Sequence, residues 1–186
     1  MNSLAAASAA VSLGDDDAAI VEGLSAAHAV PGRYQSVAND RGISIVVDYA
    51  HTPEAVAGLL EGVREVIAAG SKVIVVFGCG GDRDRDKRPL MGKSARQGAD
   101  VVVVTSDNPR SESPEEIVEQ ILAGMGSSRD SVHVVIDRRE AIERAIGMAR
   151  PGDAVVIAGK GHESTQTIGE TVRSEEHTSE LQSRIR

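Results

Sequence analysis

The sequence predicts an α/β fold, a doubly wound and mainly parallel sheet preceded by two helices. From residue 33 onward, short runs of β-branched residues alternate with amphipathic segments of helical length. The connections between them are short, as expected of repeated β–α–β units. Several apolar runs end in glycine-rich or charged segments, and an open parallel sheet places its binding site at such strand ends.

Composition excludes several classes of function. The 186 residues have room for one ordinary domain and a fragment of another, and 41% of them are apolar. A net charge of −8 with only 2% aromatic residues argues against nucleic-acid and membrane partners. The single cysteine, Cys79, excludes an intramolecular disulfide. Because no apolar run reaches the ~18 residues of a membrane span and no signal-peptide pattern is seen, we expect a cytoplasmic protein.

Residues 1–30 differ from the rest of the chain and are predicted to be the end of another domain. The alanine-rich stretch 2–13 is a helix candidate that Gly14 ends. Three aspartates at 15–17 favour the start of a second helix over residues 18–29, because carboxylates suit a helix N-terminus. Both helices have weak apolar faces and cannot build a core alone. Residues 30–32 then form a hinge.

The first strands of the main domain flank a hairpin-type turn at residues 39–42. The strand over residues 43–47 leads into Asp48 and the polar segment 48–53. Thr52 can cap the following helix, with Pro53 at its first position. The apolar positions of this helix follow helical spacing, at Val56, Leu59, Leu60, Val63 and Ile67.

The next strand, Val73–Phe77, ends in the glycine-rich segment 78–81 and seven consecutive charged residues, 82–88. We expect Pro89 to open the helix that follows, at its first position. Arg83, Arg85, Lys87 and Arg88 are cationic donors, and an arginine fork matches a carboxylate or phosphate. Alternatively, the three aspartates of this loop neutralise its arginines in solvent. We expect most of the loop to be scaffolding, with one or two arginines directed at a ligand.

Further strands are predicted at residues 100–105, 132–136 and 154–158. Ser113 with Glu116, and Asp137 with Glu140, have the spacing of helix caps. Four strands therefore end in polar segments, at residues 48–53, 78–88, 106–110 and 159–163, and these ends meet at one edge of the sheet.

These polar ends suit a zwitterionic amino acid better than a dinucleotide. One or two cations of the 82–88 loop, together with Arg110, offer anion contacts, and Glu163 can accept an ammonium group. The chain has neither a GxGxxG nor a GxxxxGK[ST] motif, so Lys160 is not assigned to a phosphate loop. His51 and His162 are expected to orient backbone or ligand, and no residue is assigned to a metal. A helix-entry turn at 108–110 and a surface role for Glu163 remain alternatives.

Four motifs, DYAHTP (48–53), FGCGGDRDRDKRPLMG (77–92), TSDNPR (105–110) and GKGHE (159–163), occur in this order. They resemble the C-terminal domain of bacterial Mur ligases, of the diaminopimelate-adding type, over residues 2 to about 173. The resemblance implies a Rossmann-like sheet over residues 31–173 and a remnant of the central ATP-binding domain over residues 1–30. Residues 174–186 look like an adapter-derived, non-native tail.

The resemblance also implies an activity. Ligases of this type use ATP to phosphorylate a carboxylate of UDP-N-acetylmuramoyl-L-alanyl-D-glutamate, and the amine of meso-2,6-diaminopimelate attacks the acyl phosphate in peptidoglycan synthesis. ATP and Mg²⁺ are expected in the full-length enzyme. The chain has no phosphate-loop motif, so we expect it to be inactive without the N-terminal and central domains, which would be its partners. A stand-alone α/β module that binds an amino acid or a nucleotide is the alternative.

Site residues follow from the same resemblance, and none is assigned a catalytic role. The residues that match the diaminopimelate pocket are Arg83, Asn108, Pro109, Arg110, Gly159 and Glu163, with support from His51, Lys160 and His162. For ATP, the resemblance places Asn2 near the adenine, Arg33 near the phosphates and Asp48 near the ribose.

Overall fold

The computed structural model describes residues 2–27, 30–160, 165–168 and 171–174. The chain divides into two units, Met1–Val30 and Pro31–Arg186. Among the described residues, no helix is long and apolar enough to cross a membrane.

The first unit contains two helices, α1 (Asn2–Leu13) and α2 (Asp17–Ala26). The second helix ends earlier than the predicted residue 29, because Ala27 already has an extended backbone. No residue of α2 is buried, and large apolar side chains such as Leu4, Leu13 and Val21 are exposed. Among the described residues of this unit no side chain is buried, in agreement with the weak apolar faces of its two helices.

The second unit is built on a six-stranded sheet. Its strands are β1 (Gln35–Ser36), β2 (Ser44–Asp48), β3 (Val73–Phe77), β4 (Val101–Val104), β5 (Val132–Val134) and β6 (Ala154–Ala158). They lie in the order β1-β2-β6-β3-β4-β5, and only the pairing of β1 with β2 is antiparallel. A separate hairpin pairs β7 (Thr165–Ile168) with β8 (Thr171–Ser174). The predicted doubly wound, mainly parallel sheet is confirmed.

Helices cover both faces of this sheet. They are α3 (Pro53–Val66), α4 (Lys87–Gly98), α5 (Pro114–Ala123) and α6 (Arg138–Met148). The first three pack on one face around Leu60, Phe77 and Ile121, whereas α6 packs on the other around Ile74 and Ile157. Strands buried on both faces explain why the sequence shows continuous runs of valine and isoleucine there.

Most helix starts agree with the sequence, and one does not. Thr52, Ser113 and Asp137 each accept a hydrogen bond from the backbone N–H three residues later, as their spacing predicted. The prediction that Pro89 opens α4 is wrong, because the helix begins at Lys87. A proline is tolerated at the third helical position, since the first four N–H groups of a helix have no intrahelical partner.

Strand β6 is the last strand of the main sheet in sequence, yet it lies in the middle. Its residues pair with β2 on one side and with β3 on the other. The carboxyl ends of β2, β6, β3 and β4 consequently point to the same edge of the sheet, where their polar segments follow.

Candidate functional site

A cavity of about 300 Å³ lies at this edge. It is lined by residues that follow four different strands: Tyr49 and His51 after β2, residues of the 78–91 segment after β3, Asp107, Asn108 and Arg110 after β4, and Gly159 after β6. The sequence predicted that these strand ends share a site. Of the predicted pocket residues, Arg83, Asn108, Arg110 and Gly159 all line this one cavity.

The loops after β3 and β4 are in direct contact, and glycines make the contact possible. The N–H of Gly81 donates to the carbonyl oxygen of Asn108 at 2.8 Å. A Cβ atom at Gly81 would overlap the carbonyl oxygen of Pro109, and one at Gly78 would overlap that of Thr105. No other residue type fits at these two positions without moving backbone. Pro109, predicted as a pocket residue, is buried in this contact and is not among the residues that line the cavity.

The two cavity arginines are held differently. Nη1 of Arg110 donates to the carbonyl oxygens of Gly81 at 2.7 Å and Asn108 at 3.3 Å, and the residue has a φ of 52°. A positive φ is unfavourable for a side chain of this size. In the described part of the chain, Arg83 has no hydrogen bond or ion pair and is exposed to solvent. Its guanidinium is therefore available to an anion.

Arg88 and Arg85 do not serve the cavity as cationic donors. Arg88 is fully buried and makes a two-fold hydrogen bond to the carboxylate of Glu112, with both N–O distances at 2.9 Å. Arg85 also pairs with Glu112, at 3.0 Å. The sequence indicated neither contact, because pairing across two loops leaves no periodic trace. Glu112 was missed for the same reason.

Arg85 and Arg88 of the charged loop pair with Glu112, outside the loop, rather than with the loop's own aspartates. The carboxylate of Asp82 accepts hydrogen bonds from the Ser111 hydroxyl at 2.7 Å and the Ser111 N–H at 3.2 Å. These bonds, the hydroxyl first, lower the pKa of Asp82. Hydrogen bonds from Arg88, and then from the N–H of Asp82, lower the pKa of Glu112 from 4.5 to about 2. Both carboxylates are therefore ionised at neutral pH.

Lys160 lies in a buried ion pair next to the cavity. Its Nζ is 3.8 Å from Oδ1 of Asp107, and both side chains are largely buried. Lys160 follows β6 and Asp107 follows β4, so the pair joins two strand ends that β3 separates. Asp107 lines the cavity but was not singled out from sequence, although it directly precedes the predicted Asn108.

Cys79 also lines the cavity, from a buried position. Its Sγ is 3.5 Å from Sδ of Met91. Burial raises the pKa of the Cys79 thiol to about 12. The side chain therefore contributes apolar surface rather than a thiolate nucleophile.

A second cluster lies where β2 ends. The Arg33 guanidinium stands 4.6 Å from the centre of the Tyr49 ring, and the Tyr49 and His51 rings are 4.5 Å apart. The two oxygens of Asp48 accept the N–H groups of Tyr34 at 2.7 Å and Ala50 at 2.8 Å. Arg33 and Asp48, which the resemblance assigns to ATP, thus lie beside residues that line the cavity.

Three predicted site residues cannot be placed. The side chain of Asn2, and the whole of His162 and Glu163, lie outside the described residues. Within the described ranges, no group of three or more His, Cys, Asp or Glu side chains is arranged to hold a metal ion.

A family model for the Mur ligase, glutamate ligase domain matches residues 32–161. The chain belongs to the Mur ligase family. The match begins at the boundary of the second unit and includes all four strand ends that form the cavity. The family resemblance inferred from the four motifs is therefore confirmed.

Relatives with known names within this family are similar over most of this chain. A UDP-N-acetylmuramoyl-L-alanyl-D-glutamate–2,6-diaminopimelate ligase of Clostridioides difficile is 48% identical over 168 residues, which are 90% of this chain and 34% of the relative. A solved structure of a ligase with that name is 43% identical, with a TM-score of 0.77 over 98% of this chain and 37% of that one. The chain therefore spans about a third of the length of the relatives it matches.

A more distant structure includes a nucleotide. It is a bifunctional folylpolyglutamate synthase/dihydrofolate synthase of Yersinia pestis, complexed with AMPPNP and a manganese ion. The two chains are 26% identical with a TM-score of 0.60, over 78% of this chain and 32% of that one. The Mur ligase fold is thus shared with an enzyme structure that holds an ATP analogue.

Proposed function

We propose that this chain is the part of an ATP-dependent amide ligase that holds the incoming amino acid, meso-2,6-diaminopimelate, for addition to UDP-N-acetylmuramoyl-L-alanyl-D-glutamate in peptidoglycan synthesis. The observation that carries the proposal is the cavity in which Arg83, Asn108 and Arg110 meet. The names of relatives with 43% and 48% identity support it.

The chemistry of the cavity suits a diacid that carries two amines. The guanidinium of Arg83 can receive one carboxylate, and the nitrogens of Arg110 that do not contact Gly81 and Asn108 can receive another. Asp84 lines the same space and supplies negative charge for an ammonium group. By resemblance, Gly159 and Glu163 would receive the distal end of the ligand. Lysine lacks the second carboxylate and would leave one arginine without an anion.

In the proposed reaction, this chain binds and orients. An amine of the held amino acid forms a bond to an activated carbonyl carbon, the carbon–oxygen bond to phosphate breaks, and the amine gives up a proton. Holding the amine in one orientation is the part of the rate enhancement that these residues supply. We propose that activation of the carboxylate depends on parts of the relatives outside this chain, so that the chain alone gives no turnover. Residues 1–30 would belong to the preceding domain.

Arg33 and Asp48 are the residues that we propose meet ATP, together with Asn2. Arg33 is exposed and can leave the Tyr49 ring for a phosphate, while Asp48 retains lone pairs for a ribose hydroxyl. The AMPPNP in the Yersinia pestis structure supports nucleotide use in this fold. The use of Mg²⁺ by the full-length enzyme and the cytoplasmic location of the protein remain predictions.

Calorimetry on the 186-residue chain tests the proposal. We expect meso-diaminopimelate to bind, and L-lysine to bind at least ~10-fold more weakly because one anion contact is lost. Arg144→Ala is the matched control for Arg110→Ala, since Arg144 is an exposed arginine of α6 that does not line the cavity. Equal affinity for both amino acids would overturn the proposal in favour of a general amino-acid module. If the chain bound ATP more tightly than diaminopimelate, and Arg110→Ala abolished the ATP binding, a nucleotide module would be favoured instead.

A further inference from the structure

We infer that Glu112 and Arg88 are positioning residues that hold the backbone of the two cavity arginines, Arg83 and Arg110, in place before a ligand arrives. This inference rests on the proposed function, because it assigns these arginines to the carboxylates of the amino acid. Neither Glu112 nor Arg88 lines the cavity. Their effect on a ligand is therefore indirect.

The carboxylate of Glu112 is the centre of a compact set of contacts. Its two oxygens accept Nη1 and Nη2 of Arg88 at 2.9 Å each. Oε1 also accepts the N–H of Asp82 at 2.6 Å, and Oε2 pairs with Arg85 at 3.0 Å. One side chain from the loop after β4 thus binds three residues that follow β3.

A second contact joins the same two loops from the opposite direction. Asp82, which follows β3, accepts both the N–H and the hydroxyl of Ser111, which follows β4. Asp82 and Ser111 are the chain neighbours of Arg83 and Arg110. The contacts of Glu112 and Asp82 therefore fix the backbone on which each cavity arginine stands.

The backbone at these points needs such support. Asp82 and Arg110 each have a φ of 52°, a conformation that residues other than glycine adopt only when the surroundings hold them there. Arg88 adds a hydrogen bond to the carbonyl oxygen of Gly80 at 3.1 Å and one to Gln120 at 2.7 Å, which anchors the set to α4 and α5.

A buried ion pair is a costly way to obtain stability, because well-packed apolar residues of similar volume often stabilise a fold as well or better. Arg88 is fully buried and the Glu112 side chain is 6% exposed. Apolar substitutes would fill the space, but they could not accept the N–H of Asp82 or hold Arg85. Apolar substitutes can therefore preserve the stability of the fold while removing the contacts that position the loop, so an experiment can separate the two roles of the ion pair.

The decisive variant is the double substitution Arg88→Met with Glu112→Leu, compared with Glu112→Gln and with Glu119→Gln as control. Glu119 is an exposed residue of α5, for which the described contacts include no partner. Three quantities are measured on the 186-residue chain: urea unfolding, amide hydrogen exchange at Asp82 and Ser111, and calorimetric binding of meso-diaminopimelate.

If the inference is right, the double variant keeps a wild-type unfolding midpoint but exchanges the amide hydrogens of Asp82 and Ser111 at least ~10-fold faster, and binds diaminopimelate at least ~10-fold more weakly. Glu112→Gln weakens binding in the same direction, and Glu119→Gln changes none of the three. Wild-type affinity in the double variant would overturn the inference. The inference would also be overturned if the double variant and Glu112→Gln lost affinity for diaminopimelate only in proportion to their loss of unfolding free energy.

Failure of the proposed function gives a different result. In that case the wild-type chain itself does not bind diaminopimelate, and the exchange rates decide the positioning question alone. Faster exchange confined to Asp82, Ser111 and their neighbours supports the role of Glu112 and Arg88. Unchanged exchange at these amides overturns it.

Discussion

Nη1 of Arg110 donates a hydrogen bond of 2.7 Å to the carbonyl oxygen of Gly81. This bond joins the loops after β3 and β4 and turns one side of the guanidinium toward backbone. Arg83 lines the same cavity without any such contact among the described residues. The two arginines therefore differ in what they contribute to stability.

Replacing each arginine with alanine should separate binding from stability. We expect both variants to weaken diaminopimelate binding by about 1.5–3 kcal/mol, the range for a hydrogen bond to a charged group. Arg110→Ala should also lower the free energy of unfolding by about 1 kcal/mol through loss of the Gly81 bond, whereas Arg83→Ala should stay within about 0.5 kcal/mol of wild type. Calorimetry and urea unfolding measure the two effects. Equal losses of stability in the two variants would contradict this difference.

Gly81→Ala should destabilise the second unit, because the added methyl group overlaps the Pro109 carbonyl oxygen. Forcing two loops apart in this way typically costs about 1–3 kcal/mol, and diaminopimelate binding should fall with it. Urea unfolding and calorimetry measure both.

The matched control for that substitution is Gly58→Ala. Gly58 lies in α3, where an added Cβ would meet nothing within 4 Å beyond its chain neighbours and the backbone of its own helix, so alanine should raise the free energy of unfolding by about 0.5–1 kcal/mol. A Gly81→Ala protein as stable as wild type would mean that the two loops are not in contact in solution.

Glu112 should make stability depend on acid pH. Hydrogen bonds from Arg88 lower its pKa from 4.5 to about 2, so the unfolded chain binds more protons than the folded chain between these values. The stabilisation is therefore complete above pH 4.5 and is lost as pH falls toward 2. Glu112→Gln removes the titrating group, so its unfolding free energy should fall less steeply over this interval than that of wild type or Glu119→Gln. Urea unfolding followed by circular dichroism measures the slopes, and identical slopes would count against the Arg88 contact.

Cys79 should be unreactive in the folded chain. Burial raises the pKa of its thiol to about 12, so almost no thiolate is present at pH 8. We expect a thiol-specific disulfide reagent to label the folded protein on the order of 100-fold more slowly than the protein in urea. Rapid labelling of the folded chain would show that the 78–81 segment opens, since Cys79 is 3% exposed.

The sequence was most informative where structure is local. Valine-rich runs and helix caps depend on a few neighbouring residues, and Thr52, Ser113 and Asp137 cap the predicted helices. The sequence predicts the start of α4 two residues too late, at Pro89 instead of Lys87. Proline is common at the first helical position, but it is also allowed elsewhere in the first turn, so its presence does not fix the first residue.

The contacts that shape the site were not predictable in the same way. Arg88 reaches Glu112 across 24 residues, and Lys160 reaches Asp107 from a different strand end. A run of alternating charges shows that cations are present, but the sheet order decides which of them face the cavity and which are buried. Arg83 and Arg88 have the same chemistry in the sequence and opposite environments in the fold.

The central place of β6 has a consequence for biosynthesis. When the nascent chain has emerged from the ribosome only up to β5, β2 and β3 are present but β6, the strand that pairs with both, is not. The gap between them closes only after residues 154–158 have been translated, and such long-range pairing is slow to form. Until then the valine-rich edges of two strands stay unpaired, and we expect the unfinished polypeptide to be more prone to aggregation than the complete chain.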